Sequence, residues 1–190
     1  MASGTTGRDA PATRRTLLEV TSTMIGDRGD SFSLADVAAA AGVSKSGLMH
    51  HFESRDALLR AVAEDAIQRF RDDVHARIDL SENHPGKVLR AYVHAMCDYV
   101  TDTPNGAARL RMYATLHSVP GVAELVAEDH RYWTSLLAGD GLQPDRVRIV
   151  HLAVEGLDGV FGLGPTTRPE QVEQVRDLLV RLTETNGPLV

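Results

Sequence analysis

Cysteine is almost missing from this chain: its 190 residues include one, Cys97. A single thiol excludes an intramolecular disulfide framework and a zinc site built on several cysteines. Aromatic residues are scarce at 5%, with one tryptophan. No run approaches the ~18 consecutive apolar residues of a membrane span. Residues 1–13 are small and polar, without the apolar stretch of a secretory signal, so a cytoplasmic protein is expected. An excess of positive charge is lacking as well. Twenty Lys and Arg stand against 26 Asp and Glu, a formal net charge of −6. That balance speaks against a protein that coats nucleic acid or a membrane by charge alone. What is present is a globular composition, 43% hydrophobic and 24% charged, enough for a sizeable core.

Sustained period-2 alternation is absent, and period-3.6 segments recur between Gly and Pro breaks. The pattern predicts an all-α fold of about nine helices. Residues 1–12 read as a disordered arm. Thr13 is placed to cap a first helix, with Leu17, Leu18, Thr21, Met24 and Ile25 on one face and Gly29 as its stop. Short helices follow over 34–41 and 45–51, then a long one from Ser54 to about Ile78. Five more are expected after Pro85-Gly86 and over 107–117, 122–138, 144–162 and about 170–185.

Residues 32–55, FSLADVAAAAGVSKSGLMHHFESR, carry the most information. Ser33 is a good N-cap, and Asp36 three residues on completes a capping box. Gly42 falls at C′, where a left-handed residue is wanted. Ser44 then caps a second short helix. Two short helices joined by a Gly-containing turn make a helix-turn-helix. The second opens with Lys45, Ser46 and Gly47, groups small or polar enough to approach base edges in a major groove.

This segment resembles the DNA-binding domain of the TetR (tetracycline-repressor-like) transcriptional regulators over about 45 residues, Leu17 to Leu59. The family's run ending Ala-Gly-Val-Ser is present as Ala41-Gly42-Val43-Ser44. Its closing Leu-Tyr-x-x-Phe and Ser-Lys-x-x-Leu appear as Leu48-Met49-His50-His51-Phe52 and Ser54-Arg55-Asp56-Ala57-Leu58. Met49 departs from the family's tyrosine, and a thioether donates no hydrogen bond to phosphate; His50 or His51 is placed to substitute, pH-dependently. The resemblance implies an N-terminal helix-turn-helix domain over 13–56 and a ligand-binding and dimerisation domain over 57–190. Phosphate contacts are expected from Arg14, Arg15, Ser33, Ser44, Lys45, His51 and Arg55, and base-edge approach from Ser46, Gly47 and His50. The partner implied is double-stranded DNA carrying a palindromic operator. No cofactor, metal or catalytic residue is expected.

Charge by region fits this division. The first 60 residues hold seven basic and seven acidic groups, and the other 130 hold 13 and 19. The acidity lies outside the proposed reading head. Two heads a fixed distance apart read a palindrome with half-sites roughly 34–36 Å apart or a multiple. The last two helices are therefore expected to form a homodimer, through Val147, Val150, Val154 and Phe161 on one and Val172, Val175, Leu179 and Leu182 on the other. A small-molecule site is expected among Tyr92, Met96, Tyr113, His117, Trp133, His151, Glu155 and Asp158, where apolar surface meets a few polar groups. The resemblance implies release of the operator when a small molecule binds, and the long helix is the natural lever. An activator, or a regulator answering to a partner protein, fits the same pattern. A helical enzyme using His151 and Glu155 is the remaining alternative, with no catalytic motif to support it.

Overall fold

In a computed structural model of the chain, residues 10–102, 106–162 and 169–187 are described. Among these there are nine helices and no strand. They are α1 (Ala10–Arg28), α2 (Leu34–Ala40), α3 (Lys45–His51), α4 (Arg55–Arg77), α5 (Lys87–Asp102), α6 (Gly106–His117), α7 (Val122–Ala138), α8 (Pro144–Gly162) and α9 (Pro169–Glu184). The expected arm over 1–12 is shortened, because α1 starts at Ala10 rather than after Thr13. Pro11 suits a first turn, where its missing N–H has no intrahelical partner to lose. The rest of that arm, residues 1–9, lies outside the described residues.

The chain forms two compact units, divided otherwise than at residue 56. One holds residues up to Asp65 together with Arg111–Val122; the other holds Ala66–Leu110 and the chain from Ala123 onward. The reason is packing. The first turns of α4 bury Leu58, Leu59 and Val62 in the same core as Leu17, Ile25, Val37, Leu48 and Phe52, and Leu116, Val119 and Val122 close it. In α6, the Arg111 Nε donates to the Gly26 carbonyl at 2.6 Å, capping the end of α1.

The second unit is built on α5, which packs against α8 and α9. Its core includes Val74, Leu89, Val93, Cys97, Trp133, Leu137, Val150, Val154 and Leu179. The Cys97 thiol is buried, and burial pushes its pKa up to about 11, so it is an inert packing group. Asp140, in the Gly-Asp-Gly break, accepts the Val88 and Leu89 backbone N–H groups at 3.1 and 2.8 Å and so caps α5. Gly86 just before α5 has φ +89°, and a Cβ there would come within 2.7 Å of Leu142. The end of α9 is fastened by two arginines. Arg146, only 4% exposed, donates to the Leu182 and Gly187 carbonyls at 2.8 and 2.6 Å. Arg90 donates to the Thr183 carbonyl at 2.9 Å and pairs with Glu82.

Candidate functional site

The reading head is set by local chemistry. Ser33 caps α2: its hydroxyl accepts the Asp36 N–H at 3.2 Å, and its own N–H and hydroxyl donate to the Asp36 carboxylate, each at 2.8 Å. Those two donations hold the Asp36 carboxyl below the ordinary carboxylate range. A depressed carboxylate stabilises the fold above its unfolded pKa, and the contribution is lost as pH falls through the folded value. Asp36→Asn is therefore expected to flatten the acid limb of the stability profile around the usual aspartate range near ~3.9. Urea melts at neutral and acid pH measure this; an acid limb unchanged by the substitution would contradict it.

The turn between α2 and α3 is a Schellman motif. The Val43 N–H reaches the Ala38 carbonyl at 2.9 Å, and the Gly42 N–H reaches Ala39 at 3.1 Å. Gly42 has φ +65°, and nothing stands near its missing Cβ. Glycine is needed there for its backbone and not for space. Ser44 then caps α3, accepting the Gly47 N–H at 3.0 Å, with the Ser46 hydroxyl also 3.0 Å away. Leu48 is fully buried and Phe52 nearly so. They anchor the inner face of α3 and leave Lys45, Ser46, Met49 and His50 exposed on its outer face. His51 is half-buried and touches the rings of His50 and Phe52. At Gly47, a Cβ would press on the Ser44 hydroxyl at 3.3 Å.

Several expected phosphate ligands also make contacts within the head. The Arg14 guanidinium lies 5.1 Å from the Phe52 ring centroid. That of Arg55 lies 5.1 Å from the Phe32 centroid and donates to the Asp30 carbonyl at 2.9 Å. Arg15 pairs with Glu19 at 3.4 Å on the α1 surface. The Ser33 hydroxyl proton is committed to Asp36. Lys45 is exposed and has no ion-pair partner among the described residues.

In the second unit, part of the expected ligand set comes together. Tyr92 is buried between Trp133 and His151, with ring centroids 4.8 and 5.4 Å away, and its phenol donates to Glu155. Burial, then the Glu155 charge, pushes the Tyr92 pKa far up. Burial alone would raise the Glu155 pKa, but hydrogen bonding to His151 and Tyr92, with the nearby imidazoles, brings it down, so Glu155 is ionised. Met96 is half-buried against the same core. Tyr113 and His117 are not part of this cluster. They belong to the other unit, where they are exposed and their rings meet at a tilt, with centroids 4.0 Å apart. The Asp158 side chain lies outside the described residues. Phe70, His75, His130 and Tyr132 complete the cluster unanticipated; of these, Phe70 is signalled by the apolar stripe of α4. A separate cavity of about 380 Å³, lined by Glu82, His84, Arg90, Leu142 and Thr183 among others, holds none of the expected residues.

The expected dimer residues face inward. Val150, Val154, Val172 and Leu179 are 0–5% exposed and belong to the unit's own core. Val147, Val175 and Leu182 are partly buried against it. The Phe161 side chain lies outside the described residues. The opposite face of α8 carries a second stripe at i, i+3, i+4 and i+7: Ile149, Leu152, Ala153 and Gly156, all exposed. Leu178 of α9 is exposed too.

A capped, glycine-turned helix pair on a three-helix core, with a polar outer face on its second helix, defines a helix-turn-helix DNA-binding protein. Comparison with known proteins agrees. Residues 17–62 match the family described as bacterial regulatory proteins, tetR family. Residues 86–184 match a tetracyclin repressor-like C-terminal domain. The HTH-type transcriptional regulator BetI of Pectobacterium atrosepticum is 31% identical over 162 residues, 80% of this chain and 81% of that one. The HTH-type transcriptional repressor KstR2 of Rhodococcus jostii is 33% identical over 95 residues, 47% and 44% of the two chains. Among solved structures, the multidrug binding protein EbrR complexed with malachite green superposes with a TM-score of 0.70 at 23% identity, over 90% of this chain and 97% of that one. A TetR-family transcriptional regulator from Streptomyces coelicolor superposes at 0.71 with 20% identity, over 94% and 97%. The chain belongs to the TetR family and is a DNA-binding transcriptional regulator. Among the described residues no helix is long and apolar enough to cross a membrane.

Proposed function

We propose that the protein is a homodimeric repressor whose operator is palindromic and which a small molecule releases. The outer face of α3 carries the DNA reading: Lys45 serves as the unpaired phosphate cation, with Ser46, Gly47 and His50 beside the base edges. Arg14 and Arg55 order the head through Phe52 and Phe32 and reach phosphate only at its margin. Dimerisation is assigned to the exposed stripe of Ile149, Leu152, Ala153 and Gly156, with Leu178. Small residues at 153 and 156 let a partner helix approach closely, and exposed apolar surface in this arrangement favours a second copy. Sensing is assigned to the Tyr92–Trp133–His151–Glu155 cluster.

The observation that carries the sensor assignment is an orphaned polar atom. The Trp133 Nε1 is buried without a hydrogen-bond partner. Buried polar groups nearly always have one, so a site with such an atom suits a ligand that supplies it. The experiment is operator titration with and without a small-molecule library. At least one compound is expected to lower operator affinity by about 5–150-fold, the usual range of allosteric coupling. A library in which nothing alters operator affinity would remove the sensor from the reading.

Lys45→Ala is expected to weaken binding about equally across sequences and to reduce the slope of log affinity against log salt by about 1. Titrations at several salt concentrations measure it, and an unchanged slope would take Lys45 off the phosphate.

A further inference from the structure

We propose that the aromatic cluster takes an uncharged, largely apolar ring compound that offers a hydrogen-bond acceptor to Trp133. This rests on the sensor assignment above and names the chemistry of its ligand. Three rings of the cluster pack on one another edge to face. Phe70 and Tyr92 lie 5.4 Å apart at 90°, Phe70 and Trp133 6.0 Å apart at 75°, and Tyr92 and Trp133 4.8 Å apart at 66°. A ring compound would join this edge-to-face packing as a further apolar ring. Met96, unbranched and polarisable, lies half-buried on the same core and adapts to shape.

The polar groups narrow the choice. An indole N–H is a donor and never an acceptor. The Trp133 Nε1 is buried, in a residue 1% exposed, and has no acceptor. Its missing partner is therefore a carbonyl, ether or ring nitrogen. The His151 Nε2 is buried too, but it faces Glu155 Oε1 at 3.5 Å. Charge supplies the rest. Arg71 and Asp129 pair at 2.6 Å and cancel, with the Arg71 guanidinium 4.1 Å from the Tyr132 centroid. His75 is engaged by the Tyr132 hydroxyl at 2.5 Å. His130 stacks on His151. Glu155 remains the uncancelled charge, and it repels carboxylates and phosphates. The Tyr92 hydroxyl and the facing imidazoles already serve that carboxylate, so the site does not require a cation. The Glu155 side chain is 42% exposed, against 2% for Tyr92, so a ligand enters along Glu155.

The chain's one tryptophan makes the test direct. A ¹⁵N-labelled protein gives one indole N–H resonance, and it comes from Trp133. The probes are monocyclic to tricyclic ketones and lactams, each with its parent hydrocarbon, its amine and its carboxylate. Ketones and lactams are expected to move the indole resonance downfield and to bind about 2–10-fold tighter than the hydrocarbons, the worth of one hydrogen bond. By calorimetry, Trp133→Phe is expected to bring ketone and hydrocarbon to equal affinity. Tyr92→Phe keeps the indole and is expected to keep the preference. If amines or carboxylates bind best, the ligand class is wrong while the sensor stands. If no compound in any arm shifts the resonance or alters operator affinity, both the class and the sensor assignment fall.

Discussion

Leu48→Ala is expected to lower stability by about 2–5 kcal/mol and to abolish operator binding at temperatures where the wild type binds. The side chain is fully buried and fastens α3 to the core that holds Leu17, Val37, Phe52 and Leu59. Truncation removes both the burial of the side chain and the contacts around it. A typical domain is stable by only 5–15 kcal/mol, so the loss is a large share. The control is Leu48→Met, which conserves volume and is expected to cost under about 1.5 kcal/mol. Urea denaturation followed by circular dichroism measures both. If Leu48→Ala melts like the wild type, Leu48 does not hold the reading helix.

The second large effect belongs to the surface. Leu152→Glu, on the exposed stripe of α8, is expected to turn the proposed dimer into a monomer while the fold is kept. Leu152 is 61% exposed within the subunit, so a carboxylate there is harmless to one chain. Between two copies it would be a buried charge, which is costly. Operator affinity is expected to fall by about 10²–10⁴-fold, because the second head loses the effective concentration that linkage gives it. Sedimentation and operator titration read the two effects separately. A variant that remains dimeric would move the interface off this stripe.

The two predictions draw on parts of the molecule that the sequence shows unequally. The head is readable because its signals are local. Ser33 with Asp36, Gly42 at C′ and Ser44 before Gly47 each act within a few residues, and each bond is present. Helix faces are harder. On α8, Val150 and Val154 form one apolar stripe and Ile149 and Leu152 another, and a period of 3.6 says nothing about which faces the subunit's own core. Val150 and Val154, expected at an interface, are buried inside the subunit. The arginines show a related gap. Arg14 and Arg55 read as phosphate ligands by charge, and the contacts of their long side chains with Phe52 and Phe32 carry no signal along the chain. The unit boundary inside α4 is likewise invisible along the chain, because it depends on Leu116, Val119 and Val122 from far downstream. Of the ligand cluster, Tyr92, Trp133, His151 and Glu155 are found by the search for polar groups on apolar stripes. Tyr113 and His117 share that pattern and lie in the other unit.

The most direct measurement is selection of bound fragments from the source genome with the purified full chain, repeated across salt concentrations. The expected result is a two-fold symmetric site with half-sites a helical turn or a multiple apart, bound with affinity that falls steeply as salt rises. Failure to enrich any specific fragment, even at low salt, would contradict a DNA-reading function for the α2–α3 pair.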